Sequence, residues 1–412
     1  MEENYKPRIV EEEMVSQLKV MGGLLIQGAR GVGKTTVAEH MTKSQFYVNK
    51  KGDNIRLAEI SPEYILEGAT PRLIDEWQLA PSLWNSVKRT IDERKLPGQF
   101  ILAGSAAPTD DGTLHTGAGR IARLTMRTMT LAEKGLSEKK VRFADLFTSG
   151  AKIGGIGGPE FTTYISEVIR GGWPLLLNAS EESAEVFLTN YINNIADVDM
   201  RNLASPPSPQ RLLALIRSLA RNVATDARLT TLAEDANIAT DSVRKYLDQL
   251  SQIFLVEELP AWNTHLRSAT LLRTSPKWYF LDPSIAANAL GASRESLLGD
   301  LRTFGLLFES LVARDLRVLS EAIGARIYFY RDADGLEVDF IVEQKNEDFI
   351  AIEVKLGDEK SVENAVDNLE KLKGKLADSK LRHLKSTNVI TAGTTSYTHP
   401  SGTNIIALGH LY

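Results

Sequence analysis

The stretch GARGVGKTT, residues 28–36, decides how the rest of the chain is read. It fits the spacing G-x-x-x-x-G-K-[ST], with Gly28, Gly33, Lys34 and Thr35 in register. Upstream, Leu24-Leu25-Ile26 is a short apolar run of the kind a buried parallel strand shows. Downstream, TTVAEHMTKSQ can form a helix whose first turn is Lys34 to Val37. Strand, glycine loop and helix thus come in the order a phosphate-binding loop requires. Glycines let backbone N–H groups turn inward toward phosphate oxygens, and the helix N-terminus adds partial positive charge. Under this reading Gly28, Gly31, Gly33, Lys34, Thr35 and Thr36 hold ATP. Lys34 reaches the β- and γ-phosphates, and the Thr35 hydroxyl sits on Mg²⁺. A plain strand-to-helix turn is the other reading, and only context separates the two.

That context continues in PRLIDEWQLAP, where Leu73 and Ile74 end an apolar strand and Asp75 and Glu76 follow at once. A carboxylate at such a strand end can hold the Mg²⁺ shell, which makes Asp75 the second metal contact. A neighbouring glutamate, Glu76, can orient and polarise an attacking water as general base. The same pair could instead cap a helix running from Pro81 to Arg94. QFILAGSA is a third apolar strand, and Ser105 at its end is a candidate sensor of the γ-phosphate, although serine after glycine is also good turn chemistry. In GRIARLTMRTMT, Arg120, Arg123 and Arg127 are candidates for an arginine finger acting at this site or at a neighbour's.

Bulk properties set limits. With 412 residues the chain is long enough for two or three domains. A net charge of −5 means that any nucleic-acid contact needs local basic patches. There are no cysteines, which removes disulfides, thiol catalysis and cysteine-bound zinc. The N-terminus MEENYKPRIVEEE lacks the apolar core of a signal peptide, and no apolar run approaches the ~18 residues needed to span a bilayer. A cytoplasmic protein with no membrane contact is expected.

The succession of phosphate loop, LIDEWQ, FILAGSA and GRIARLTM resembles a family of prokaryotic AAA-type ATPases. Members carry a C-terminal domain of unknown function with a restriction-endonuclease-like core. GGWP at 171–174 and FLTNYINNIADVDM at 187–200 resemble the middle section of the same family. One departure is Ala103, where the sensor strand usually has a threonine before Gly-Ser. The resemblance implies an α/β chain, with an N-terminal P-loop NTPase of AAA/ASCE type, a helical lid, a winged helix-turn-helix and a nuclease-like α/β domain. It also makes a homo-oligomeric ring or dimer plausible, because such ATPases commonly complete their site with a neighbour's arginine.

Boundaries follow from composition. The ATPase core is placed at 1–145 and a helical lid or linker at 146–205. Within the lid, the glycine-rich 149–158 reads as a flexible loop. SPPSPQ at 205–210 breaks the chain, and 206–265 reads as a winged helix-turn-helix. Its core is Leu232, Ala236, Ile238, Val243, Leu247 and Leu250, and its second helix exposes Ser242, Arg244 and Lys245. DNA contact and protein docking are both open for this helix, since Asp241 and Asp248 would repel phosphate.

Residues 266–412 contain three strands joined by tight turns at Asp334-Gly335 and around Asn346. Glu337 and Asp339 share one strand face, and Glu353 and Lys355 share a face of the next. An aspartate followed by Glu-x-Lys on an adjacent strand is the pattern of PD-(D/E)XK nucleases. It implies Asp339 and Glu353 on Mg²⁺, Lys355 on the attacking water, and Glu309 on the helix GLLFESLVARDL in support. Exposed Glu–Lys pairs are common and weak, but IAIEVKL is apolar enough to be buried, and buried charges need a reason. Lys371, Lys373, Lys375, Lys380, Arg382 and Lys385 form either a phosphate-contacting surface or a solvated helix face. Two functions fit: a DNA-directed ATPase with an Mg²⁺-dependent nuclease, or a regulatory nucleotide switch whose nuclease-like domain only binds DNA or a protein partner.

Overall fold

The computed structural model describes residues 5–50, 52–104, 117–197, 208–263 and 275–412. These form two compact units, Met1–Thr128 with Gln252–Leu255, and Met129–Ser251 with Val256–Tyr412.

The first unit is built on a five-stranded sheet made of β1 (Gly23–Gln27), β2 (Ser44–Tyr47), β3 (Arg72–Asp75), β4 (Phe100–Ala103) and β5 (Ile121–Thr125). The strands are all parallel and lie in the order β2-β3-β4-β1-β5. The central strands are covered on both faces, so their sequences are continuous apolar runs: Leu24, Leu25, Ile26 and Phe100 to Ala103 are fully buried. The helix Ser82–Arg94 buries Leu83, Trp84, Val87 and Ile91, a stripe at helical spacing, and Trp84 packs at 5.0 Å from Trp77. What matters for function is the strand order. β4 separates β3 from β1, so Asp75 at the end of β3 faces the loop after β1 across a neighbouring strand's width.

The second unit carries a seven-stranded mixed sheet. Its strands are β6 (Gly154–Ile156), β9 (Arg326–Arg331), β10 (Glu337–Glu343), β11 (Phe349–Lys355), β12 (Leu384–Thr391), β13 (Thr395–Thr398) and β14 (Asn404–Ala407). The order is β6-β13-β14-β12-β11-β10-β9. Two further strands, β7 (Val256–Leu259) and β8 (Lys277–Phe280), form an antiparallel pair. The helix Leu301–Ala322 is capped by Asp300, which accepts from the Thr303 N–H, and most of its residues are buried.

Three features depart from the sequence reading. Residues 154–156 are an edge strand rather than loop, with Gly154, Gly155 and Ile156 opposite Tyr397, Ser396 and Thr395 of β13. Residues from Met129 onward pack in the second unit, so the first compact unit ends well before residue 145. β8 pairs with β7, so the two-stranded sheet takes in residues beyond 265.

A buried charge network holds the second unit's helices to the segment after Thr128. Arg314 pairs with Asp315 at 2.8 Å and Asp282 at 3.4 Å, all nearly inaccessible. Asp315 accepts from the Leu131 N–H, and the buried Lys134 pairs with Glu167. Buried charges of this kind persist only when paired and hydrogen-bonded.

Candidate functional site

The loop after β1 has the backbone that the glycines predicted. Gly28, Gly31 and Gly33 all have positive φ, and at Gly28 a Cβ would stand 2.2 Å from the Met126 carbonyl oxygen. The helix Lys34–Met41 starts directly after Gly33. Lys34 is buried, and its ammonium donates to the Gly28 and Ala29 carbonyls at 2.9 and 2.8 Å. Burial pulls its pKa down to about 8, against the opposing charges of Glu76 and Asp75. A buried ammonium held only by two loop carbonyls is ready to exchange them for phosphate oxygens.

The Thr35 hydroxyl lies 3.1 Å from both carboxylate oxygens of Asp75. These two positions, 40 residues apart in sequence, are the pair expected from the sequence to share one Mg²⁺ ion. Burial raises the Asp75 carboxyl to about 6. Loop conformation, a lysine bonded to loop carbonyls and the threonine–aspartate contact together fit a nucleotide with its Mg²⁺. Glu76 is half-buried and in the left-handed region at φ 54°, which aims it away from the strand axis. Its carboxylate accepts from the Gln78 amide.

Gln78 is a site residue that sequence reasoning passed over. Its role could have been read from LIDEWQ only by knowing that the chain turns back after Glu76. Gly104 makes room for it, since a Cβ there would meet the Gln78 amide oxygen at 2.5 Å. Arg8 was also missed. It is buried and donates to the carbonyls of Val32, inside the phosphate loop, and Arg127.

The arginine candidates separate. Arg120 is bonded to Asp92 at 2.6 and 2.8 Å on the surface, Arg127 is buried, and Arg123 is exposed on the edge strand β5. Ser105 lies outside the described residues.

In the second unit β10 and β11 bring Asp339, Glu353 and Lys355 together, with Glu309 delivered by the helix Leu301–Ala322. Lys355 Nζ lies 2.6 Å from Glu353 and 3.6 Å from Asp339. Asp339 also accepts from the Val354 N–H at 2.8 Å, and Glu353 from the Asn368 amide at 2.6 Å. The other pole was not foreseen. Lys277 on β8 is almost fully buried, lying 2.5 Å from Glu337 and 3.9 Å from Glu309, while Tyr279 donates its hydroxyl to Glu309 at 2.6 Å. Burial, and then the negative charge of Asp339, hold Glu309 and Glu353 well above the usual carboxylate range. Lys277 is raised despite its burial, by Glu309, Asp339 and Glu337.

Among the described residues no group of three or more His, Asp or Glu side chains is placed to hold a metal ion. Glu309, Asp339 and Glu353 do converge, and each has an ammonium partner, Lys277 at Glu309 and Lys355 at Asp339 and Glu353. The basic stretch is also spoken for in part. Lys373 pairs with Glu370, Lys375 with Asp332 and Asp334, Lys380 with Glu343, and Lys385 with Asp348. That leaves less free charge for phosphate than the sequence suggests.

Three segments of the chain match known domain families. Residues 22–134 match the AAA domain. Residues 162–296 and 304–411 match two domains of unknown function, DUF8612 and DUF4143. The uncharacterized proteins Rv2008c of Mycobacterium tuberculosis and Mb2031c of Mycobacterium bovis are each 25% identical over 327 residues, which is 78% of this chain and 67% of theirs. Among solved structures, the Walker-type ATPase PABY2304 of Pyrococcus abyssi aligns with a TM-score of 0.43 at 14% identity, over 69% of this chain and 99% of that one. The STAND ATPase PH0952 of Pyrococcus horikoshii, with a tetratricopeptide repeat sensor, aligns with a TM-score of 0.26 at 13% identity, over 78% and 52%. No helix among the described residues is long and apolar enough to cross a membrane.

Proposed function

We propose that this protein is an ATP-hydrolysing switch whose C-terminal part recognises DNA rather than cutting it. The observation that carries the ATPase half is the contact of the Thr35 hydroxyl with both oxygens of Asp75 at 3.1 Å, beside a buried Lys34. The backbone N–H groups of Gly31 and Gly33 and the helix N-terminus at Lys34 bind phosphate oxygens. Lys34 leaves the Gly28 and Ala29 carbonyls to neutralise the β- and γ-phosphates, and Thr36 lies next along the same helix turn. Thr35 and Asp75 hold Mg²⁺, which when bound neutralises charge developing on the transferred phosphoryl group. Glu76 orients the attacking water and takes its proton, and Gln78 positions the Glu76 carboxylate. Arg123, exposed on an edge strand, is the arginine best placed to act on a second copy's site.

The DNA-binding half rests on a different region. The helices Leu229–Ala236 and Thr240–Gln252, followed by the β7–β8 pair, support the winged helix-turn-helix reading, and Arg244 and Lys245 are exposed on the second helix. The succession of the helix Leu301–Ala322, three antiparallel strands β9–β11, the helix Glu359–Lys375 and the parallel strand β12 supports a restriction-endonuclease-like core. Convergence of Asp339, Glu353, Lys355 and Glu309 favours a second reading in which that core cleaves DNA.

The experiment that decides is incubation of the full-length protein with linear, circular, single-stranded and branched DNA, with Mg²⁺ or Mn²⁺ and with or without ATP. Retention of DNA without cleavage, weakened by Arg244→Ala with Lys245→Ala, is the expected result. Cleavage lost in Asp339→Ala and Lys355→Ala would establish the nuclease instead. Neither retention nor cleavage, with ATP turnover intact, would point to a protein partner.

A further inference from the structure

The acidic cluster in the second unit receives its positive charge from outside the segment that carries its carboxylates. Glu309, Glu337, Asp339 and Glu353 lie within residues 304–411, whereas Lys277 and Tyr279 lie on β8, within residues 162–296. Strand alternation puts Lys277 and Tyr279 on the same face of β8, and both reach Glu309. The Lys277 side chain is only 2% exposed, and its ammonium also stands 5.4 Å from the Phe329 ring centroid. An ammonium buried so deeply is costly unless opposite charges surround it.

Each carboxylate already has fixed donors. Glu309 has Tyr279 and Lys277, Glu337 has Lys277, Asp339 has the Val354 N–H and Lys355, and Glu353 has Lys355 and Asn368. A hard divalent cation would have to displace lysine contacts on several of these groups and then leave a buried ammonium beside it.

We propose that Lys277 is the built-in counter-ion of this cluster and takes the place of a divalent cation. The C-terminal domain then keeps its carboxylates neutralised by the chain's own ammonium groups, delivered by the β7–β8 pair. This inference builds on the recognition reading, since a domain so neutralised has no resident metal with which to activate water.

The test is Mn²⁺ binding to the full-length, nucleotide-free protein, followed by loss of the free-ion paramagnetic resonance signal. Wild type and Asp339→Asn are expected to titrate alike, with no Asp339-dependent site occupied at up to about 1 mM Mn²⁺, the weak end of protein divalent-cation sites. Lys277→Met, checked for folding by circular dichroism, is expected to gain one Mn²⁺ equivalent that the further change Glu309→Gln removes. A wild-type Mn²⁺ site abolished by Asp339→Asn overturns the proposal, and so does a folded Lys277→Met protein that binds no more Mn²⁺ than wild type. The same samples keep the two ideas apart. DNA cleavage without an Asp339-dependent Mn²⁺ site overturns recognition and leaves the counter-ion role standing. Such a site without cleavage does the reverse.

Discussion

The phosphate loop and the acidic cluster both gather lysine and carboxylate from distant parts of the sequence, yet their charges are handled in opposite ways. In the loop, among the described residues, Lys34 donates to neutral backbone carbonyls and Asp75 accepts from the Thr35 hydroxyl. The charges are left for a ligand to complete. In the cluster, Lys277 and Lys355 lie within 2.6 Å of carboxylates, and the charges complete one another. Opposite charges kept near but out of direct contact mark a site open to ligands; charges paired in direct contact mark a site already satisfied. The same residue types therefore mean different things in the two places.

The contrast breaks most sharply on Lys34. Lys34→Ala should lower ATP turnover by roughly 10²–10³-fold, the usual cost of losing one preorganised electrostatic donor, measured as phosphate release. A loss below tenfold would mean that the loop is not the site of hydrolysis. Next in size is stability in the second unit. Lys277→Met leaves carboxylates without their buried partner and should cost about 3–5 kcal/mol, read by denaturant unfolding, whereas Asp339→Asn removes a like charge and should cost much less. Equal losses in the two variants would deny that Lys277 neutralises the cluster.

The pH dependence sharpens the first site. Asp75 must be ionised to hold Mg²⁺, and its carboxyl is raised to about 6, so kcat/KM for ATP should fall as pH drops through about 6. Lys34 must be charged, and its pKa is lowered to about 8, so kcat/KM should also fall as pH rises through about 8. Asp75→Asn should remove the acid limb from whatever activity remains. The smallest effect is expected at Gln78. Gln78→Ala should lower kcat several-fold with little change in KM, because it only steers the Glu76 carboxylate.

How much of this could be read beforehand follows the range of the interactions. The loop at 28–36, Asp75 and Glu76 were legible because their chemistry is tied to local motifs at strand ends. The antiparallel β9–β11 strands were legible from alternation and two turn signals, and so was the convergence of Asp339, Glu353 and Lys355. Gln78 was not, because its contact depends on the left-handed turn at Glu76. Arg8 was not, because its partners Val32 and Arg127 are 24 and 119 residues away. Lys277 was hidden for a similar reason. KWYF reads as an ordinary apolar strand, and only its placement beside Glu309 and Glu337 shows why a lysine opens it. The glycine run 149–158 was misread because a three-residue edge strand has too short a pattern to announce itself. At Glu309, Asp339 and Glu353 the ammonium of Lys355 was legible beforehand and that of Lys277 was not.

In the proposed mechanism Glu76 acts as the base of an ATP-hydrolysing site formed by Lys34, Thr35 and Asp75. The most direct test compares wild type and Glu76→Gln for ATP turnover and, on the same samples, for binding of a fluorescent ATP analogue. Turnover should fall by roughly 10²–10⁴-fold, the range of general-base catalysis, with binding unchanged. Turnover equal to wild type in a variant that still binds nucleotide would contradict it.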